Sequence, residues 1–154
     1  MTTLNLGVID VPYANPPRAA GSPAKGGTQT TGDVAEWLET KYHVMEVFFE
    51  LHKDDIAKAL ENSLAGSLET LLMGGPATSS PASEAMSEIE EKFKRFLADR
   101  EMEALGIPGV PTAAAKKGIN HRFKKTLTPG RPSFIDTGAY ENSFKAFIDW
   151  AGAR

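Results

Sequence analysis

Apolar side chains recur at helical spacing in three successive segments, and these segments constrain the fold more than any other feature. The first covers residues 30–49 and opens with Thr30 and Asp33 at capping-box spacing. The second covers residues 56–72 and ends at a Gly-Gly pair, a usual helix C-terminal signal. The third covers residues 80–97 and opens with Ser-Pro. We expect three amphipathic helices whose apolar stripes form the core.

Alternation of apolar and polar residues predicts a strand on each side of the helices. Near the N-terminus, Leu4, Leu6 and Val8 alternate with Asn5, Gly7 and Ile9 before Pro12 stops the run. The C-terminal run alternates at Phe144, Ala146, Ile148 and Trp150. The sequence therefore predicts an α+β protein that is mostly helical, with a short N-terminal strand and a C-terminal strand.

Proline and glycine divide the chain into regions. They are concentrated in residues 12–32, which cannot bury enough apolar surface to order themselves and are expected to form an extended arm held by a neighbouring subunit. We expect residues 1–32 to be strand and arm, and residues 33–154 to be a single domain. That domain divides into a helical part (33–103), a basic connector (104–132) and a turn-and-strand unit (133–154).

Composition excludes several classes of protein. The chain has 154 residues, a net charge of −3 and no cysteine. A generally basic nucleic-acid binder, a disulfide framework, thiolate catalysis and Cys-ligated metal sites are therefore not expected. No apolar stretch is long enough to span a membrane, and the first ten residues do not resemble a signal peptide. We expect a soluble, non-secreted protein.

One local pattern could bind a metal. The side chains of Glu39, His43, Glu46 and Glu50 would share one face of the first helix. A solvated or interfacial face is the favoured interpretation, because the paired Glu-x-x-His motifs of helical di-iron sites are missing. The sequence also lacks a phosphate-binding loop and a nucleophile-elbow motif. We therefore predict no enzyme: no catalytic residue, no cofactor and no metal.

Charge is segregated along the chain. Acidic residues predominate in residues 33–103, whereas residues 104–135 carry basic residues and no acidic one. The basic residues are Lys116, Lys117, Arg122, Lys124, Lys125 and Arg131. This segment could contact DNA phosphates, dock on an acidic protein surface, or form an exposed loop. A small DNA-binding or regulatory protein that uses residues 116–131 is accordingly one functional hypothesis.

The C-terminal unit begins with a distinctive run, RPSFIDTGAYENSF, over residues 131–144. Phe134 and Ile135 are predicted to be extended, and the Asp-Thr-Gly that follows is typical of a turn. Thr137 is expected to cap one helical turn that ends at Asn142. The structural role of this turn is favoured over a catalytic one.

This run resembles the C-terminal motif of tailed-bacteriophage neck and tail-completion proteins, in which an apolar residue precedes Asp/Asn-Thr-Gly and a Ser follows before a strand. Residues 33–46 and 118–124 are similar to the corresponding regions of such proteins. Together the resemblance covers about half the chain, over residues 33–73 and 112–149. The motif residues are Phe134, Ile135, Asp136, Thr137, Gly138, Tyr140, Ser143 and Phe144.

The resemblance implies a structural virion protein, made in the host bacterial cytoplasm and located at the head–tail junction. Such proteins form sixfold or twelvefold homo-oligomeric rings and contact portal, connector or tail proteins, with duplex DNA passing through. The motif would shape the fold and one interface, so Gly138→Val should block ring assembly. Deleting residues 1–28 is expected to weaken assembly without unfolding the domain.

Overall fold

The computed structural model describes residues 2–13, 29–120, 125–126 and 130–150. In chain order the elements are β1 (Thr3–Val8), α1 (Thr31–Tyr42), α2 (Val44–Leu72), α3 (Ser83–Ala98), α4 (Glu101–Ala104), α5 (Ala113–Lys117), β2 (Ile119–Asn120), β3 (Lys125–Thr126), α6 (Ala139–Ser143) and β4 (Phe144–Asp149). The predicted class, α+β and mostly helical, is confirmed. No described helix is both long and apolar enough to cross a membrane. Most of the predicted arm, residues 14–28, lies outside the described residues.

The two predicted strands pair with each other. β1 is antiparallel to β4, with Thr3 opposite Asp149 and Val8 opposite Phe144. Beyond β1 the chain runs beside the segment that leads into α1, where the Tyr13 N–H donates to the Gln29 carbonyl at 3.0 Å. The last residue before the undescribed segment and the first one after it are therefore neighbours. A second ribbon, also antiparallel, joins β2 to β3.

Aromatic side chains fill the core between α2, α3 and β4. Phe48, Phe93, Phe96 and Phe144 are almost fully buried. The rings of Phe93 and Phe144 stack with their centroids 3.9 Å apart. The apolar stripe predicted for the third helix is confirmed, because Ile89, Phe93, Phe96 and Leu97 all lie in this core. Burying large rings in this way supplies the main stabilising contribution to the fold.

The first predicted helix is interrupted at His43. This residue adopts a left-handed conformation (φ 53°), which ends α1 and starts the longer α2. The Glu39 carboxylate then accepts hydrogen bonds from the backbone N–H groups of Met45 (2.8 Å) and Glu46 (3.1 Å). Glu39 thus satisfies two of the free donors at the start of α2 and places a negative charge at the positive end of its dipole. The prediction of one helix over residues 30–49 is wrong for this reason.

The second half of α2 lies outside the core. Its leucines, expected to be buried, are exposed: Leu64, Leu68, Leu71 and Leu72. The physical reason is that α3, which packs against α2, has only 16 residues whereas α2 has 29. The start of α3 also differs from the prediction, because it begins at Ser83 and Pro81 lies in the preceding turn.

That turn is anchored to α2 through the carbonyl of Pro81. The hydroxyls of Ser63 and Ser67 donate to it at 2.9 and 3.0 Å. These bonds fix the α2–α3 connection at the last buried position of α2, and the exposed leucines follow beyond it.

The chain turns sharply before α6. Phe134 has a left-handed backbone (φ 70°), so the extended conformation predicted for residues 134–135 is wrong at Phe134. The buried Ser133 fixes this turn. Its N–H and its hydroxyl both donate to the Glu103 carboxylate, at 3.0 and 2.8 Å, and its hydroxyl oxygen accepts the Thr112 N–H at 3.1 Å.

Candidate functional site

A surface cleft of about 310 Å³ lies where α1 faces the turn that precedes α6. Aromatic side chains from distant parts of the chain form much of its wall: Tyr13, Trp37, Tyr42, Phe134 and Tyr140. Tyr42 holds two of the others in place, with ring centroids 5.9 Å from Trp37 and 5.2 Å from Phe134. A concave surface of this kind accommodates an apolar or aromatic group, and Thr112, Arg131, Asp136 and Thr137 supply its polar lining.

The sequence motif supplies one side of the cleft and part of the core. Phe134, Asp136, Thr137, Gly138 and Tyr140 line the cleft. Phe144 is buried in the core and Ser143 is buried beside it, while the half-buried Ile135 packs against the core. The Ser143 hydroxyl donates to the Tyr140 carbonyl at 2.9 Å, which secures the last turn of α6.

The predicted cap at Thr137 is present in a weaker form. Gly138 is the N-cap residue of α6, and the Thr137 hydroxyl oxygen accepts the Ala139 N–H at 3.4 Å. The Asn142 side chain donates back to the Gly138 carbonyl at 2.8 Å. The motif therefore builds a compact turn around Gly138, as its sequence indicated.

Arg131 belongs to the motif and not to an exposed basic surface. Its side chain is only 14% exposed, and its guanidinium lies 3.5 Å from the Asp136 carboxylate. It also donates to the backbone carbonyl of Ile135. The hypothesis of a DNA- or partner-facing basic patch therefore changes for Arg131, whose guanidinium holds the turn that carries Phe134 and whose side chain lines the cleft.

The remaining basic residues are only partly described. Lys116 and Lys117 are exposed in the last turn of α5, where their positive charges are favourable to the helix dipole. Lys125 lies in β3. Arg122 and Lys124 lie outside the described residues.

Tyr140 lines the cleft, and its hydroxyl is buried. The residue is 3% exposed, and among the described residues its hydroxyl has no hydrogen-bond partner. Burial raises its pKa well above the ordinary value, and the nearby Glu39 and Tyr13 raise it further. The hydroxyl is therefore protonated throughout the physiological pH range.

Glu39, His43 and Glu46 approach one another as the sequence spacing suggested, although not on one uninterrupted helix. Atoms of the three side chains that could ligate a metal lie within 4.8 Å of one another. The geometry has a structural explanation, because Glu39 caps α2 and His43 Nδ1 lies 3.0 Å from the Glu46 carboxylate. Glu50 instead lies 3.2 Å from the Lys53 ammonium.

Sequence reasoning missed three aromatic residues of the cleft. Trp37 follows the helical spacing of residues 30–49 and was therefore expected in the core with the rest of that apolar stripe, but it is 55% exposed. Tyr13 and Tyr42 had no assigned role, and they join the motif only through the fold. Their aromatic character was the one available signal, since large aromatic rings are enriched in binding surfaces.

Fold and cleft together define a mostly helical α+β protein with an aromatic-lined surface site built around its C-terminal motif. No family model matches the chain, and comparison with curated proteins and with solved structures gives no match.

Gly138→Val should lower the free energy of unfolding by about 1–3 kcal/mol, because a β-branched residue is strained at positive φ. Gly138 has φ 78°, and a Cβ built there lies 3.2 Å from Asn142 Nδ2 and 3.3 Å from Glu141 Oε1. Urea denaturation followed by circular dichroism measures the effect. The control is Gly66→Ala in α2, where a Cβ meets nothing within 4 Å and a gain of about 0.5–1 kcal/mol is expected. Equal stability of Gly138→Val and the parent would contradict the strain argument.

Proposed function

We propose that this chain is a structural virion protein of a tailed bacteriophage that forms a ring in the neck and joins the portal or head to the tail. Tail completion, tail termination and head–tail connection are the roles within this class. The resemblance of residues 33–73 and 112–149 to neck proteins supports the proposal. The structural support comes from two apolar surfaces on the same chain.

The first surface is the leucine ridge, which we define as Leu64, Leu68, Leu71, Leu72 and Met73. Their exposed fractions are 38%, 58%, 46%, 80% and 81%. The first three occupy positions i, i+4 and i+7, so they form one stripe on the outer half of α2. A contiguous exposed apolar stripe is unusual on a monomeric protein and marks an interaction surface.

The second surface is the aromatic cleft, and the pairing of ridge and cleft carries the proposal. The ridge is an exposed stripe on α2, whereas the cleft is a concave surface between α1 and the motif. Two different apolar surfaces allow one copy to bind the next head to tail, and a head-to-tail contact closes into a ring when the rotation per subunit permits. The segregation of acidic and basic residues along the chain is compatible with the same kind of contact.

The DNA-binding alternative has less support. Of the six basic residues that suggested it, Arg131 is held within the motif. Lys116 and Lys117 are neighbouring exposed charges at the end of α5, and Arg122 and Lys124 lie outside the described residues. Within the proposed ring, the basic segment would face a partner protein or the passing DNA.

Electron microscopy of the particle or purified assembly that contains this chain tests the proposal directly. We expect a sixfold or twelvefold ring at the head–tail junction. A particle that lacks this chain would overturn the neck assignment. Salt-dependent binding of the purified protein to duplex DNA would then favour the alternative.

Leu71→Glu should abolish ring formation, because it places a charge in the middle of the leucine ridge. The matched control is Leu105→Glu, since Leu71 and Leu105 are both 46% exposed and Leu105 lies outside the ridge. Both substitutions should change the free energy of unfolding by less than about 1 kcal/mol, as is usual at exposed positions. Size-exclusion chromatography with light scattering measures the assembly. Equal assembly of the two variants would show that the ridge is not used.

A further inference from the structure

The outer edge of β1 carries backbone groups that point away from the rest of the sheet. Residues opposite one another in an antiparallel pair alternate between hydrogen-bonded and non-hydrogen-bonded positions. The Ile9 N–H donates to the Ser143 carbonyl at 2.7 Å, which fixes the phase of this alternation. Thr3, Asn5 and Gly7 therefore direct their backbone groups toward β4. Leu4, Leu6 and Val8 direct their N–H and C=O groups toward the outer edge.

The same alternation of inward-facing and outward-facing backbone groups applies to β4. Ala146 lies opposite Leu6, so its N–H points to the outer edge of β4. There the Glu90 carboxylate accepts it at 3.4 Å, and the Lys145 ammonium lies 2.6 Å from the same carboxylate. The outer edge of β4 is thus partly covered by α3.

The outer edge of β1 has no such cover within the part of the chain that the structure describes. No hydrogen bond from a described residue reaches the outward-facing backbone groups of Leu4, Leu6 or Val8. The strand TLNLGV also contains no charge and no proline, the features with which proteins usually protect an exposed edge. A Cβ built on Gly7 meets nothing within 4 Å, so the face that carries Gly7 is open as well.

We propose that β1 pairs with β1 of a second copy of this chain, antiparallel and around a twofold axis, with Leu6 opposite Leu6 and Leu4 opposite Val8. This register uses all three outward-facing residues of each strand, and other registers use fewer. It places apolar side chains opposite one another on the core-facing side of the sheet. It also converts a two-stranded sheet, which is marginal by itself, into a four-stranded one.

An identical strand suits this edge because neither strand brings a charge to the contact. A partner strand with charged residues at its core-facing positions would place those charges beside Leu4, Leu6 and Val8. The inference goes beyond the proposed function, since ring contacts are head to tail whereas this contact is twofold. It concerns the association of the free protein and does not require a ring.

Disulfide trapping tests the register, and the natural chain contains no cysteine to interfere. Residue 5 of one copy lies opposite residue 7 of the other at a non-hydrogen-bonded position, where Cα atoms are about 4.5 Å apart. Residue 5 lies diagonally from residue 5 of the other copy at about 7–8 Å, beyond the reach of a disulfide. Asn5→Cys and Gly7→Cys proteins, one carrying a size tag, are mixed while reduced and then oxidised.

We expect the mixed disulfide dimer to exceed either self-linked dimer by at least about tenfold. Self-linking of Asn5→Cys or of Gly7→Cys at a comparable yield would indicate a shifted register and overturn the one proposed. The absence of any cross-linked dimer would overturn the pairing itself.

A charge exchange provides an independent test on the solvent-facing side of β1. In the double variant Asn5→Asp/Gly7→Asp, like charges lie opposite one another, and the dimer dissociation constant should rise by at least about tenfold. In Asn5→Lys/Gly7→Asp, opposite charges face each other and dimerisation should be retained. Sedimentation equilibrium measures both constants, and circular dichroism confirms that the monomers fold. Equal dimerisation of the two variants, or a parent protein that is monomeric at every concentration, would overturn the proposal.

Discussion

Replacing Phe93 by alanine should lower the free energy of unfolding by about 3–5 kcal/mol. Phe93 is fully buried and contacts rings from two other elements, with centroids 3.9 Å from Phe144 and 5.2 Å from Phe48. Truncation would therefore leave a cavity at the junction of α2, α3 and β4, where partial relaxation cannot restore the lost contacts. The loss is a large fraction of the stability of an ordinary domain.

Phe147→Ala is the matched control for this substitution. Phe147 lies on β4 but is 53% exposed, so its removal should change the free energy of unfolding by about 0.5 kcal/mol or less. Urea denaturation followed by circular dichroism compares the two variants. Similar midpoints would show that the aromatic cluster does not stabilise the fold as described.

Removing β1 should have the second large effect: deletion of residues 1–9 should unfold the protein or lower its melting temperature by at least about 10 °C. β1 is the hydrogen-bonding partner of β4, and its Leu4, Leu6 and Val8 pack against the core. Their loss exposes the part of the core next to Phe144, which lies opposite Val8. From the sequence, deletion of residues 1–28 was expected to leave the domain folded. Because this deletion also removes β1, we now expect it to unfold the domain.

A second truncation separates β1 from the arm. Tyr13 and Gln29 are hydrogen-bonded neighbours, so a short Gly-Ser bridge can join them in place of residues 14–28. Shortening a loop changes its closure entropy only slightly, and we expect the melting temperature to stay within a few degrees of the parent. If this bridged chain folds but assembles poorly, the arm contributes to assembly. If the chain without β1 is as stable as the parent, the sheet does not stabilise the fold.

Local patterns in the sequence predicted most elements of the fold. The Thr30 hydroxyl oxygen accepts the Asp33 N–H and the Asp33 carboxylate accepts the Thr30 N–H, as a capping box requires. The apolar alternation of β1 and β4 and the stripe of α3 were also predicted correctly. These features depend on residues close in sequence, so periodicity and capping chemistry are sufficient to find them.

The break at His43 depends on a contact that spacing does not reveal. No glycine or proline marks it, although histidine is one of the residue types enriched at positive φ. The break becomes favourable because Glu39 caps the following helix. The exposure of Leu71 and Leu72 likewise depends on the length of α3, so the apolar stripe of α2 was found but its burial was not.

In the cleft, too, a feature that depends on neighbouring residues was predicted, whereas contacts between residues far apart in sequence were not. The turn at Gly138 was predicted from Asp-Thr-Gly. The inward orientation of Arg131 was not, since it follows from the position of Asp136 after the turn has formed. Trp37 and Tyr13 reach the cleft from other parts of the chain, and only the packing of α1 brings them there.

The β1–β4 pairing also has a consequence for how the protein folds during synthesis. Thr3 pairs with Asp149, so nearly the whole chain lies between the two strands. Pairing of high contact order forms slowly, because loop-closure entropy must be overcome before the contacts contribute. On the ribosome β1 emerges long before β4, while α1, α2 and α3 can already fold from local contacts. β1 therefore remains unpaired through most of translation. Because it carries no charge and exposes Leu4, Leu6 and Val8 during that time, it can bind chaperones.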